Sequence, residues 1–300
     1  MYVITGATGN TGSVVAKTLL SKGQSVRAIG RSADRLKDLA ERGAEPFVCD
    51  LTDHDALTKA FTGARAVYAM IPPNMTSPDY RADQDRNTDS IAGAIEKAGV
   101  KFAVCLSSFG ADKPDKTGPV AGLHYLEQRL NKIPSLNSLY LRAGYFMENT
   151  LAQIGIIKQM GVAAGPVRGD LKLPMIATHD IGAAAAEDLL KLDFHGHQTR
   201  ELNGQRDLTM TEAAAIIGDQ LAKPDLPYVQ APNDQIRAAM IGMGMSANMA
   251  DLILEMAGAL NSGHMAALEP RSARNTTPTS YETFVKEEFV PLYYGKSAAA

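Results

Sequence analysis

The 300-residue chain contains no tryptophan and only two cysteines, Cys49 and Cys105. Two isolated cysteines cannot build a disulfide framework, and they lack the spacing of a metal site. Each lies in an apolar run that reads as a buried strand, where a thiol behaves as a small hydrophobe. A block of basic residues is also missing. Lys and Arg number 30 against 33 Asp and Glu, a net charge of −3, which argues against nucleic acid as the main partner. No apolar run reaches membrane-spanning length, so no membrane partner is expected. The chain opens directly on "MYVITGA", without the pattern of a secretory leader, and a cytoplasmic protein is expected.

What is there is ordinary for a globular protein, 45% hydrophobic and 21% charged. Short apolar runs alternate with helical patterns. Strands are predicted at 2–7, 25–31, 45–51, 66–73 and 101–108, and helices at 11–23, 32–43 (with Ser32 as N-cap), 53–63 and 86–99. A sixth strand is expected at 136–144 and a late edge strand at 199–204. Strand–helix alternation with strands buried on both faces predicts an α/β fold, a Rossmann-type doubly wound parallel sheet. After residue 145 the pattern loosens: 161–175 reads as loop with room for short strands, 178–191 and 207–222 as helices, and 233–261 as one or two Met-rich helices. The expected division is a nucleotide-binding domain over 1–150, whose sheet the late strand near 199–204 could rejoin, and a smaller, mostly helical lobe over 151–300 that covers a substrate cleft. The tail 295–300 is given no role.

The segment "TGATGNTG" joins the first strand to the first helix, with Gly6, Gly9 and Gly12 in a G-x-x-G-x-x-G pattern. Such a turn reverses tightly, lets backbone approach a pyrophosphate and lets helix and strand pack closely. The helix start then offers free N–H groups and a positive dipole end to the anion. The strand–turn–helix context makes this a strong dinucleotide signal. The second strand ends in Gly30-Arg31-Ser32. NAD sites place an acid there; an Arg instead grips a 2′-phosphate, so NADP(H) is the expected cofactor. Arg35 could assist but reads as an exposed helix residue. Asp50, ending the third strand, is placed either for the adenine amine or to cap the next helix. The expected cofactor contacts are Gly6, Thr8, Gly9, Asn10, Thr11, Gly12, Arg31, Asp50, Leu51, Ile71 and Ser107.

Together with "CDLTD" (49–53), "GLHYLEQRL" (122–130), "LRAGYFMEN" (141–149) and "THDIGAAAAEDLL" (178–190), these motifs resemble the NmrA-like branch of the atypical short-chain dehydrogenases/reductases. The resemblance runs over nearly the whole chain in order. It implies that Tyr145, Phe146, Met147 and Asn149 lie near the nicotinamide, under a small C-terminal lobe. Ala143 departs from the pattern, where relatives often carry Pro. The family includes NADPH-dependent quinone reductases, cofactor-sensing regulators and, in neighbouring branches, aromatic-substrate reductases.

Many Rossmann-fold reductases carry Tyr-x-x-x-Lys on a helix; here Tyr125 is followed by Arg129. Reduction of a simple ketone forms an alkoxide that needs a proton donor. The rigid fork of Arg does not reproduce a Lys. A quinone instead yields a phenolate-like anion, with a pKa near that of Tyr, about 10. The missing Lys therefore fits NADPH-dependent reduction of a quinone-like or aromatic carbonyl. Tyr125 and His124 are the candidate catalytic residues, Ser107 or Ser108 a candidate polar contact, and Glu127 and Arg129 read as helix surface. Of thirteen Met, six fall in Met240, Met243, Met245, Met249, Met256 and Met265, as lobe core or cleft lining. A non-catalytic NADP(H)-binding regulator and a reductase of a specialised metabolite stay open, as do a homodimer and a protein partner.

Overall fold

Seven of the apolar runs become parallel strands of one sheet in the computed structural model, which describes residues 1–296; the last four residues of the tail lie outside it. In chain order the elements begin β1 Tyr2–Ile4, α1 Asn10–Ser21, β2 Val26–Gly30, α2 Ala33–Glu41, β3 Glu45–Val48 and α3 His54–Phe61. They continue with β4 Ala66–Ala69, α4 Tyr80–Ala98, β5 Phe102–Ser108, α5 Val120–Leu130 and β6 Asn137–Ala143. β7 Tyr145–Phe146 leads into a 3₁₀ turn at Met147–Ala152, then α6 Gln153–Met160, β8 Ala163–Gly165, β9 Leu173–Ile176, α7 Thr178–Lys191 and β10 His197–Leu202. The strand order is β10-β6-β5-β4-β1-β2-β3, a doubly wound Rossmann-type sheet whose winding reverses between β1 and β4.

Burial explains where the sequence reading holds. The central β4 is buried at all four positions, as an apolar run between two helix layers must be. β3 is the exception. It is the free edge of the sheet, with Glu45, Pro46 and Val48 exposed, and a Pro without an N–H is tolerated there. Cys49 falls just past β3 and is half-buried, whereas Cys105 is buried in β5 as expected. α4 starts six residues earlier than predicted. Asp79 caps it by accepting from Ala82 N (3.1 Å), and Tyr80 N donates to Asn248 Oδ1 (2.9 Å), a contact no local pattern encodes.

The chain crosses the expected divide at residue 150 twice. α7 packs against α1, and β10 pairs with β6 from His197↔Ser138 to Leu202↔Ala143, closing the sheet as its last strand. What remains forms the smaller lobe. It holds a three-stranded sheet, β7 and β9 with β11 Asp207–Leu208, and α8 Met210–Gln220. β12 Tyr228–Gln230 pairs with β8, and the loop at 161–175 carries short strands as its reading allowed, β8 and the start of β9. Thr209 caps α8 through a reciprocal pair with Glu212. α9 Asn233–Gly242 and α10 Ala247–Asn261 follow, and a helical run over 281–293 seats Tyr281, Phe284 and Phe289 in the lobe core. α10 reaches back to the main domain: Ser246 N donates to Met75 O (2.9 Å) and Gly118 N to Glu255 Oε1 (3.0 Å).

Candidate functional site

A cleft of about 720 Å³ runs along the carboxyl ends of the strands at the point where the winding reverses. Gly6, Thr8, Gly9, Asn10 and Thr11 form its floor. Gly6 has φ +59°, and a Cβ there would meet Met70 Sδ at 2.4 Å. A Cβ on Gly12 would lie 2.3 Å from the Gly6 carbonyl oxygen, so Gly12 shapes the loop from behind without lining the cleft. Gly9 occupies the N-cap of α1 and supplies no side-chain cap. The first-turn N–H groups of α1 therefore stay free for an anion. Tyr68 Oη donates to Thr11 Oγ1 (2.9 Å), which ties the helix start to β4.

At one end the cleft is lined by Arg31, Ser32, Arg35, Asp50, Leu51 and Thr52. Two expectations change here. Ser32 sits at the N-cap of α2 but its hydroxyl caps nothing, and Arg35, read as simply exposed, reaches Thr8 O (3.4 Å) and borders the cleft. Arg35 lies in the first turn of α2, close behind Arg31, in the assisting place that the sequence left open for it. Asp50 does not cap α3; Asp53 does, accepting from Ala56 N (3.0 Å). The Asp50 carboxylate instead accepts from Thr52 N (2.9 Å) and Oγ1 (2.7 Å). These bonds, with Arg31 nearby, hold its pKa below the usual value. Two guanidinium groups, a free hydroxyl and open N–H groups fit a phosphorylated dinucleotide.

At the other end lie Met70, Pro72, Leu106, Phe146, Glu148, Asn149 and Thr178. Phe146 and Asn149, for which the resemblance implies a place near the nicotinamide, line this end of the cleft. Tyr145 and Met147 do not line the cleft: Tyr145 points into the lobe, beside a second cavity of about 50 Å³ with Tyr228 and Tyr281. Burial pushes its hydroxyl up to about 12. The reason is strand alternation, since Tyr145 and Phe146 are neighbours on β7 and face opposite ways. Ile71 likewise turns from the cleft into the core beneath α3 and α4. Glu148 was not anticipated. Its Oε1 accepts from Thr178 N (2.8 Å) and Thr178 Oγ1 (2.5 Å), while its Oε2 is buried without a hydrogen-bond partner. Burial raises its pKa. Asp83, Arg86 and Asn87 also border the cleft from the start of α4, where no local motif marks them.

α5 corrects the catalytic expectation. Tyr125 is not among the cleft residues; its Oη donates to Asp89 Oδ1 on α4 (3.0 Å), and the Arg81 guanidinium lies 5.5 Å from its ring centroid. Partial burial, with the Asp89 carboxylate second, raises its pKa, opposite to what an activated acid needs. Arg129 faces the same α4 carboxylates, Asp89 (3.6 Å) and Glu96 (3.9 Å). The helix is rotated by what it buries. Gly122 sits so close to Gln84 that a Cβ would fall 2.2 Å from Gln84 Oε1, and Leu126 and Leu130 enter the core. Glu127, read as surface, is 2% exposed: it accepts from Arg142 Nε (3.0 Å) and Nη2 (2.6 Å) and from Ser107 Oγ (2.6 Å). Ser107 is thus committed to this buried network and is absent from the cleft lining, as is Ser108, which donates to Phe109 O (3.0 Å). His124 holds Nδ1 2.8 Å from Ala111 O and is also outside the lining.

The six methionines of the α9–α10 segment do not line the cleft either. Met256 and Met265 pack in the lobe core, and Met243 is 74% exposed. Among the described residues, no cluster of His, Cys, Asp or Glu could hold a metal ion, and no helix is long and apolar enough to cross a membrane.

The fold has known counterparts. The chain is 28% identical over 258 residues to an NAD(P)H azoreductase of Xenophilus azovorans, covering 85% of this chain and 86% of that one. It is 29% identical over 259 residues to quinone oxidoreductase 2 of Escherichia coli, with the same coverage. The crystal structure of an NADPH-dependent quinone oxidoreductase from Escherichia coli complexed with NADPH superposes with a TM-score of 0.76, covering 100% of this chain and 96% of that chain at 24% identity. The structure of NmrA, a negative transcriptional regulator, in complex with NAD superposes with a TM-score of 0.69 at 18% identity, covering 98% of this chain and 97% of that chain. The model of the NmrA-like family matches residues 2–289, and the chain belongs to that family.

Proposed function

We propose that this protein is an NADPH-dependent oxidoreductase whose hydride acceptor is a quinone or a similarly conjugated carbonyl. The observation that carries the reading is the engagement of Tyr125 by Asp89, outside the cleft. Without a phenol aimed at the reacting oxygen, the acceptor must form an anion that needs little proton donation. A hydroquinone monoanion meets that condition, with a pKa of about 10, and a simple alkoxide does not. The azoreductase and quinone oxidoreductase relatives support this reading, because their acceptors share that delocalisation.

NADPH, when bound, supplies the hydride. The residues of this chain do the rest by placement. Arg31, Arg35 and Ser32 hold the 2′-phosphate, and the uncapped start of α1 holds the pyrophosphate. Met70, Leu106 and Phe146 form an apolar wall that keeps water from the reacting end. Oxidation of NADPH by a quinone series and by cyclohexanone tests the reading. Turnover on the quinones should exceed that on the ketone by at least about a hundredfold, the contribution a positioned acid would otherwise make. Equal rates on both would overturn it. Tight NADPH binding with no turnover on any acceptor would favour a nucleotide-sensing regulator.

A further inference from the structure

The smaller lobe holds a cavity of its own, of about 50 Å³, behind β7. Tyr145 borders this cavity and its neighbour Phe146 borders the cleft, so the strand divides the two spaces. The cavity lining contains no charged residue, whereas the cleft carries Arg31, Arg35, Asp50 and Glu148. Met210, Ala213, Ala214 and Ile217 of α8 supply an apolar wall. Most polar groups of the lining are spent. Gln153 uses both ends of its amide on Ala164, Nε2 donating to O (2.9 Å) and Oε1 accepting from N (2.8 Å). Thr150 Oγ1 donates to Met147 O (2.7 Å), and Tyr228 Oη to Val167 O (2.7 Å). Two glycines make room for Tyr228: a Cβ on Gly165 would lie 2.9 Å from its Oη, and one on Gly169 3.2 Å from its ring. Tyr281 Oη is unpaired but closed off, so it offers a ligand nothing. Tyr145 is the exception. Among the described residues nothing pairs with its hydroxyl, and that oxygen is not closed off as Tyr281 Oη is. The residue is half-buried, yet burial raises its hydroxyl to about 12. Surface that is accessible but poorly solvated faces an enclosed space, not bulk water.

Size and polarity define the occupant. One water needs about 10–15 Å³ of such space, so the cavity takes a few waters or one small ring, and no dinucleotide. An ion is excluded, because nothing in the lining offsets the loss of its water. We propose that this cavity is a second binding site, for a small neutral molecule of single-ring size that carries one oxygen. The ring lies on the α8 wall and the oxygen accepts a hydrogen bond from Tyr145 Oη. Phenols and cyclic ketones have that chemistry. The site is separate from the cofactor cleft, and the inference does not depend on the NADP(H) reading.

Ligand-detected NMR titrations of the full chain test it, with NADP⁺ present to fill the cleft. The probes are phenol, toluene, which lacks the oxygen, and benzoate, which is charged. Wild type should bind phenol and toluene and exclude benzoate. Tyr145→Phe keeps the ring and removes the hydroxyl. Phenol should then weaken by about two- to tenfold, the worth of one neutral hydrogen bond, while toluene binds at least as well as before. Ala214→Leu fills the cavity from α8 and should abolish binding of both rings, with NADP⁺ affinity unchanged. Phenol binding that survives Ala214→Leu would place the ligand elsewhere and overturn the inference. So would an equal loss of phenol and toluene in Tyr145→Phe, or a wild type that binds no phenol, which would leave the cavity to water. If Ala214→Leu does not fold, the contrast between phenol and toluene in Tyr145→Phe still decides. A wild type that binds phenol but not NADP⁺ would overturn the cofactor reading alone.

Discussion

Two stretches of this chain carry reductase-like motifs, and they met different fates in the fold. The glycine loop lies on the cleft floor through Gly6, Thr8, Gly9, Asn10 and Thr11, with Gly12 shaping it from behind and an uncapped helix following it. The Tyr125–Arg129 pair of α5 is turned towards α4 and bonds to Asp89. The loop motif is a requirement on backbone: small residues at a strand–helix junction leave the chain few other ways to turn. The helix motif is a requirement on side-chain direction. That direction is set by whichever residues of the same helix the core takes, here Gly122, Leu126, Glu127 and Leu130.

The sharpest break of this contrast is Gly12→Val. With a Cβ 2.3 Å from the Gly6 carbonyl oxygen the loop cannot keep its shape, so cofactor binding is expected to vanish in a titration. Retained binding would mean that the loop tolerates repacking and that its backbone is not the determinant. Second in size is Glu127→Ala, which leaves the Arg142 guanidinium buried without its carboxylate. Chemical denaturation should register a loss of about 3–5 kcal/mol. A variant as stable as wild type would show that apolar packing alone sets the rotation of α5.

Arg31→Ala removes a charge-assisted contact worth about 1.5–3 kcal/mol and should weaken NADPH by roughly ten- to a hundredfold, leaving NADH unchanged. Equal affinity of wild type for the two nucleotides would refute the phosphate assignment. A smaller effect probes α7, which supports α1 from behind. Asp188 on α7 faces Arg200, yet burial outweighs that attraction and pushes its pKa up to about 6. The folded state then holds the proton more tightly than the unfolded chain. Its contribution to stability is full below about pH 4, the unfolded value, and is lost as pH rises through about 6. Melting temperatures of Asp188→Asn should lack this fall between those pH values; a slope identical to wild type would place the titration elsewhere.

The smallest expected effect is that of Tyr125→Phe. It deletes one partly exposed bond to Asp89, so stability should change by less than about 1 kcal/mol and quinone turnover by less than about twofold. A loss of a hundredfold in kcat would return α5 to the chemistry and collapse the contrast.

The cleft lining was legible where local rules apply. Gly6, Thr8, Gly9, Asn10, Thr11, Arg31, Asp50 and Leu51 all border the cleft, because each follows a parallel strand at its carboxyl end. The same rule misplaced Ile71, Ser107 and Tyr145. One residue of shift along a strand reverses the face, and a strand end gives no absolute register. Glu148 and Thr178 are far apart in sequence, and neither carries a signal by itself. Their pairing exists only because β7 lies beside β9, Phe146 against Ile176.

The sequence by itself determined the alternating α/β architecture, the glycine loop and the cationic group at the end of β2. These follow from hydrophobic period, glycine sterics and charge, which act over a few residues. Tertiary structure decided the packing of α7 against α1, the outward turn of Tyr125, the burial of Glu127 and the unpaired oxygen of Glu148. Each of these depends on which surfaces meet across long stretches of chain. Packing and desolvation settle that, and no local spacing encodes it.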